Sequence, residues 1–586
     1  MAHYPIARLL RSAFYSAVSE DKEATELFNE YCDSRRRFLK QAAIAAGAIA
    51  LTPGILSLSS CGKSSEGSIA IIGAGIAGLN AAYQLQKTDV QSTVYEASDR
   101  IGGRMFTLRD EFGKGLTTDI GGELVDTTHT DILQLVKELG LSFYDLRPDP
   151  LARKTYYFKG KSLSEDDLKN ALKPYVIQLM KDIKSLPDII SYKAAAQFEH
   201  LDKQSITGYI SAIGITGWLF DFLNVTLTRE YGMEASIQSA VNFLIMFVEP
   251  SDKEKGYELF GADHEVFKIK GGSSTLTDAV YQKVKGSVKT GYTLKAISKA
   301  GDKGYNLEFD NQGTAVTVQA GHVIIAIPFT MLRLVKLDMP MPAEKTKCIN
   351  EIGYGNSSKF IIGVHNGKPW RLHGQQGYTF TDLGFGCGWD SSQAQSETEG
   401  SFTVFGGGNF SDKVKNTSLE DLNKEFVPEL NTIFPGMDKA FTNKSTKFCW
   451  SENPWSKAGY SSFKTGQWST LAGYFDGILH TFGAGVGEHY FGMIAMREKA
   501  RQFFGQLHVQ IIGSYIKTTV DQFCCLVGNG FYNGLRAMAR IYHANPAREI
   551  DHFLTIRVND HRAFSAHRSR RIEYAYCIRY KLLPSI

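Results

Sequence analysis

The chain is predicted to be an α/β protein that joins a Rossmann-like nucleotide-binding domain to an α+β domain. Three observations point there. A short apolar run, Ile69-Ala-Ile-Ile72, leads into Gly73-x-Gly75-x-x-Gly78 and an alanine-rich pattern of helical period. A second apolar run ends at Glu96, about twenty residues beyond the glycines, the order strand–turn–helix–strand–acid that a dinucleotide site needs. A third, within Gly321-His-Val-Ile-Ile-Ala-Ile-Pro328, reads as a buried strand stopped by proline.

Each glycine has a task in such a unit. Gly73 makes the tight turn, Gly75 lets the backbone approach a pyrophosphate, and Gly78 lets helix and strand pack closely. The helix N-terminus then offers N–H groups and positive dipole to phosphate, and the Glu96 carboxylate can accept from a ribose hydroxyl. At 586 residues the chain has ample core. Its formal charge of +4 is too small to argue for nucleic acid. Eight cysteines are scattered apart from Cys524-Cys525, without metal or disulfide-scaffold spacing.

Further along, residues 132–141 carry a helical pattern and residues 163–246 a helical block, ended by the lysine-rich loop 251–255. Phe267-Lys-Ile-Lys-Gly271-Gly272 leads into a helix at 276–284, and alternating runs at 305–309 and 315–318 read as a hairpin. Phe360-Ile-Ile-Gly-Val364 is a strand, and Gly406-Gly407-Gly408 a turn.

Glu96-Ala-Ser-Asp-Arg100-Ile-Gly102-Gly103-Arg104 resembles the E-x-x-x-R-x-G-G-R continuation of the flavin amine oxidase superfamily. Thr118-Asp119-Ile120-Gly121-Gly122-Glu123 is similar to that superfamily's D-x-G-G turn beside the flavin ring. The resemblance, over roughly residues 66–474, implies the two-domain amine oxidase fold and non-covalent FAD, since Gly459 stands where mammalian monoamine oxidases carry the flavin-linking cysteine. It implies cofactor contacts from Gly73, Gly75, Gly78, Glu96, Arg100, Gly103, Arg104, Gly121, Gly122, Leu294 and Trp455, with Arg100 and Arg104 as cations beside the diphosphate. It also divides the chain: FAD-binding parts at 66–125, 265–330 and 450–474, and substrate-domain parts at 126–264 (helical) and 331–449.

The activity implied is oxidation of an amine to an imine, with hydride transfer to FAD and reoxidation by O2 to H2O2. Lys359 matches the lysine placed near flavin N5, commonly through a water. Tyr460, in Trp450-Ser-Glu-Asn-Pro454-Trp455-Ser-Lys-Ala-Gly459-Tyr460, matches one wall of an aromatic cage around the substrate nitrogen. The amine must be neutral to lose hydride. An alkylamine of pKa near ~10.4 needs roughly 4 kcal/mol to deprotonate at neutral pH, and a water-poor aromatic pocket lowers that cost. Leu124 occupies the position where L-amino-acid and tryptophan oxidases place a carboxylate-clamping arginine, so a small-molecule amine is favoured, with an L-amino acid as the alternative. Asp126 reads either as an acid for a distal ammonium or as a helix N-cap.

Two regions lie outside this frame. Ser34-Arg35-Arg36-Arg37-Phe38-Leu39-Lys40 matches a twin-arginine export signal, and Leu58-Ser-Ser-Cys61 a bacterial lipobox with Cys61 as the lipidation site. Residues 1–61 are therefore expected to be a signal segment, giving an exported envelope lipoprotein anchored to the membrane; the stretch before Ser34 has no assigned role. From 475 to 586 the resemblance fades, with Gly487-Glu488-His489 as a remnant of the closing F-A-G-E motif. Residues 1–493 contain 13 Arg and 38 Lys, whereas 494–586 contain 11 Arg and 3 Lys. This tail is read as divergent, as an Arg-rich extension, or as the product of a frame shift. Without a recognisable closing motif, a FAD-binding but catalytically defective envelope lipoprotein is the third functional alternative.

Overall fold

The computed structural model describes residues 5–34, 68–127, 129–151, 155–247, 265–301 and 304–474, all within one compact unit. Cys61, the twin-arginine motif beyond residue 34 and the tail from 475 lie outside the described residues.

Ile69–Ile72 is one of the two inner strands of a parallel four-stranded sheet ordered Val288–Lys289, Ser92–Tyr95, Ile69–Ile72, His322–Ile325. All four residues of Ile69–Ile72 are buried, as expected for a strand covered on both faces. Crossing from the first strand to the second is the helix Ile76–Gln86, whose buried face is small and aliphatic (Gly78, Leu79, Ala81, Ala82, Leu85). The predicted hairpin forms between Tyr305–Asn311 and Thr314–Ala320 and joins Tyr292–Lys299 in a second sheet. His322, at the start of the outer strand, is half-buried and pairs with Ile69.

A seven-stranded sheet combines Thr155–Phe158 and Lys161–Leu163 with five strands from Ser358–Val364 through Phe441–Cys449, and it pairs Thr155 with Thr379, more than 200 residues away. Its strand Ser358–Val364 lies between Gly400–Gly406 and Phe441–Cys449 and is buried at every position. The helical block runs from Glu165–Leu172 to Ala240–Leu244. A small sheet of Leu124–Val125, Phe267–Ile269 and Phe143–Asp145 pairs Leu124 with Lys268.

Two segments differ from expectation. Residues 5–34, assigned to a signal segment, fold as two helices, Pro5–Ser19 and 22–34, against the helical block. Leu10, Ala13, Phe14, Ala17 and Val18 are buried there. Their spacing of three and four places one apolar stripe along the helix, a pattern a leader does not need. The second segment is 450–474. It lines the cofactor side only as far as Tyr460; beyond it, Ser239 N–H donates to Phe463, the Trp468 indole to Asn242, and Ser469 to the buried Asp202. Buried polar partners in the helical block capture this stretch, because Asp202 at 0% exposure needs donors.

Candidate active site

A cavity of about 880 Å³ opens where the parallel sheet meets the small sheet and the strand bearing Lys359. That is the upper range of cofactor and ligand sites, roughly 300–1,000 Å³. One end is a cradle of backbone. Gly73 has φ +99°, and its N–H donates to Tyr95. A Cβ on Gly78 would sit 1.9 Å from the Gly73 carbonyl. Gly75 faces the turn Gly102–Gly103, whose φ values are +98° and +57°, and Gly102 N–H donates to Ala74 across it. Glu96 closes the cradle: it accepts from Ala74 N–H at 2.7 Å and from the N–H and hydroxyl of Ser98 at 2.9 Å. Its carboxylate therefore joins the glycine turn to the second strand and lines the cavity.

The arginines behave differently from expectation. Arg100 donates to the carbonyls of Ile101, Met105 and Gly103 and lies 4.4 Å over the Phe106 ring. Its charge is directed at the turn it shapes; burial lowers its pKa, with Glu96 and Asp99 opposing. Arg104 donates to Gly459 at 2.6 Å, tying the loop 450–460 to the Gly-Gly turn. Both side chains line the cavity, yet carbonyl demand, which the residue types did not reveal, orients them. Leu294 lies on the wall beside a β-bulge, and Trp455 at the mouth is 38% exposed.

At the other end Asp119-Ile-Gly121-Gly122-Glu123 turns beneath Lys359. A Cβ on Gly121 would lie 2.0 Å from the Arg104 carbonyl, so only glycine fits. The Lys359 ammonium donates to Asp119 O at 2.7 Å, Gly121 O at 3.1 Å and Glu123 Oε2 at 2.8 Å. An ammonium has three donors, and all three are engaged. Glu123 Oε1 accepts from Lys268 at 2.7 Å, while its Oε2 also accepts from the Trp389 indole at 3.2 Å. The result is a buried Lys–Glu–Lys cluster whose members are 3–6% exposed. Burial alone would raise the Glu123 pKa, but the two lysines outweigh it and hold it below the ordinary value. Burial opposes the Lys268 charge, yet Glu123, Asp119 and Asp390 together raise its pKa. Neither Glu123 nor Lys268 carried a sequence signal for this role. Their meeting follows from strand pairing of Leu124 with Lys268.

Trp389, Phe405 and Tyr460 supply aromatic surface. Trp389 packs 5.6 Å from Phe405 and 5.8 Å from Tyr378. The Tyr460 hydroxyl lies 3.2 and 3.0 Å from Arg229 O and Glu230 O and donates to these carbonyls at the C-terminus of the helix Gly217–Tyr231, where Arg229 O also accepts from Gly232 N–H.

Asp126 does not line the cavity. It is neither a substrate acid nor an N-cap: the following helix is entered through His129 without a side-chain cap. Its carboxylate accepts from Glu265 N–H at 2.7 Å and faces His129 at 3.3 Å. Its neighbour Glu265, missed by sequence reasoning, does line the cavity, together with Glu96, Asp99, Glu123 and Asp310. Its φ of +52° is unusual for a side chain with Cβ, and the Asp126 bond holds it there. Burial first, then the Glu265 charge, raises the pKa of the adjacent Tyr378.

The sequence profile of the family described as flavin containing amine oxidoreductase matches residues 76–492. The chain belongs to that family. An L-amino-acid oxidase of Crotalus adamanteus is 23% identical over 373 residues, 56% of this chain and 67% of that protein. A flavin-containing amine oxidase of Oncorhynchus mykiss is 26% identical over 317 residues, 53% of this chain and 59% of that one. The chain thus spans about two thirds or less of the curated relatives it matches. Among solved structures, wild-type putrescine oxidase bound to putrescine superposes with a TM-score of 0.64 at 18% identity, covering 76% of this chain and 98% of that one. Cyclohexylamine oxidase from Brevibacterium oxydans IH-35A gives 0.64 at 19%, covering 75% and 99%. These likenesses establish the fold.

The residues present fit FAD. Two glycine turns without Cβ atoms would receive the diphosphate at the N-terminus of the helix Ile76–Gln86, Glu96 the ribose, Leu294 the adenine side, and the Asp119–Gly122 turn with Lys359 the flavin side.

Proposed function

We propose that the chain is a flavin-dependent amine oxidase that converts a small amine to an imine, with FAD as hydride acceptor and O2 as terminal acceptor, released as H2O2. The cavity lining carries this reading: a carboxylate, Glu265, and aromatic walls surround the space, and the two arginines among the described lining residues, Arg100 and Arg104, donate to backbone carbonyls of the surrounding turn and loop. Leu124 occupies the clamp position and lines the cavity, while Arg104 is committed to Gly459. Trp389, Phe405 and Tyr460 exclude water and so favour the neutral amine. A distal ammonium on the substrate would meet Glu265, and Glu123 holds the Lys359 charge in place beside the turn.

Oxidation of an L-amino acid is the second reading, favoured by the names of the Crotalus relatives. A FAD-binding but inactive envelope lipoprotein is the third, since the closing motif expected after residue 474 is not recognisable beyond the remnant Gly487-Glu488-His489. Anaerobic titration of the purified flavoprotein with monoamines, diamines and L-amino acids separates them. Bleaching of the flavin band by amines alone is expected; bleaching by amino acids alone establishes the second reading, and an unmoved band the third.

Twin-arginine export and lipidation at Cys61 are proposed on their motifs. Mass spectrometry of envelope protein from a bacterial host tests them; an intact, unmodified Cys61 refutes the assignment.

A further inference from the structure

The leader motif and the folded residues 5–34 make opposite demands. A leader is removed, whereas this segment is built into the core. Its first helix, Pro5–Ser19, packs on the helices Glu165–Leu172 and Val176–Ser185 and on the turn Ile245–Phe247. Phe14 is fully buried, its ring 4.6 Å from Phe247, and Leu10, Ala17 and Val18 continue the seam. Polar contacts fix the register. The Arg11 guanidinium donates to the Met246 carbonyl, with Nε at 3.0 Å, and the Tyr15 hydroxyl donates to the Phe247 carbonyl. Both acceptors are backbone carbonyls of the turn Ile245–Phe247, so the two bonds fix where the helix sits along it. Around the rim Glu20 pairs with Lys169 and Lys173, Glu23 with Lys181, and Glu30 with Lys184. Exposed ion pairs contribute little stability individually; four lysines of the helical block facing three glutamates set orientation.

We infer that residues 5–34 are a clamp held on the helical block by non-covalent contacts alone, so that hydrolysis of a peptide bond within residues 35–67 leaves the clamp bound. The occupant of this apolar groove is therefore a segment of the same chain, retained as a separate peptide in any processed form. The consequence for a mature protein beginning at Cys61 rests on the proposed leader reading; retention after a cut does not. The clamp also has a positional effect. It holds the carbonyls of Met246 and Phe247, the last described residues before Glu265, which lines the cavity.

The test is a cut made after folding. The full chain, carrying a recognition site for a sequence-specific protease inserted within residues 41–57, is purified, cleaved and examined by native mass spectrometry and gel filtration. The expected result is one species whose mass is body plus fragment, with no gain in binding of an apolar dye. The same cut in Phe14→Asp should lose the fragment's mass and gain dye fluorescence. If that variant does not fold, Arg11→Ala with Tyr15→Phe is cut instead and should release the fragment at lower denaturant than wild type. Release of the fragment from the cleaved wild-type protein in plain buffer overturns the inference. The leader reading fails separately, through an uncut chain in the envelope.

Discussion

Replacing Glu123 by Gln keeps the shape of the side chain and removes the one charge lying between two buried ammoniums. In the native cluster Oε1 accepts from Lys268 at 2.7 Å and Oε2 from Lys359 at 2.8 Å and from Trp389 at 3.2 Å. An amide has one acceptor oxygen and one donor nitrogen, so one lysine would face an N–H group. Lys359 keeps Asp119 O and Gly121 O, and Lys268 keeps Ser391 O, but neither keeps a paired charge on Glu123. Removing one partner of a buried pair costs about 3–5 kcal/mol. E123Q should therefore lose about that much stability in denaturant titrations followed by tryptophan fluorescence and by FAD release. The double variant E123Q/K268M removes the surplus ammonium and should recover about 1–3 kcal/mol, the coupling of residues in contact. The reasoning is refuted if E123Q lies within about 1 kcal/mol of wild type, or if the two substitutions are simply additive.

The same cluster sets pH limits on stability. Glu123 has a folded pKa below its ordinary 4.5, so its contribution is complete above that value and is lost as pH falls through the folded pKa. Lys268 has a folded pKa above 10.5, so its contribution is complete below that value and is lost as pH rises through the folded pKa. The gap between thermal melts of wild type and E123Q should begin to narrow as pH falls below 4.5. Gly78→Ala sets a Cβ 1.9 Å from the Gly73 carbonyl, and overpacking of this kind costs about 1–3 kcal/mol. The variant should purify with little flavin absorbance; full flavin content would remove the cradle assignment. Tyr460→Phe loses bonds to two helix-end carbonyls, about 0.5–1.5 kcal/mol, and keeps the aromatic wall, whereas Tyr460→Ala should reduce kcat for amines far more. Asp126→Ala removes the acceptor of Glu265 N–H and should raise KM for diamines more than kcat falls; equal effects on monoamines and diamines would separate Glu265 from substrate binding.

The cofactor end of the site was legible because its requirements are local. Gly73, Gly75, Gly78 and Glu96 fall within one strand–turn–helix–strand unit, and glycine at a positive φ or against a carbonyl has no substitute. Arg100 and Arg104 were legible as residues but not as roles, since the carbonyls that engage them belong to a turn and to a loop more than 350 residues away. Asp126 was open between two readings and took neither, because its partner, Glu265, arrives through a separate strand.

Sequence alone thus determined the family-type fold, the glycine cradle, the acid that closes it and the strand carrying Lys359, all set by short-range periodicity and by backbone positions that admit only glycine. Tertiary structure decided the rest. It brought Lys268 beside Glu123 through the pairing of strands, put Glu265 rather than Asp126 against the cavity, and folded residues 5–34 into the core. The physical reason is common to all three. A buried charge or an apolar stripe is stabilised only by the partner that comes to cover it, and those partners lie 139–235 residues away along the chain.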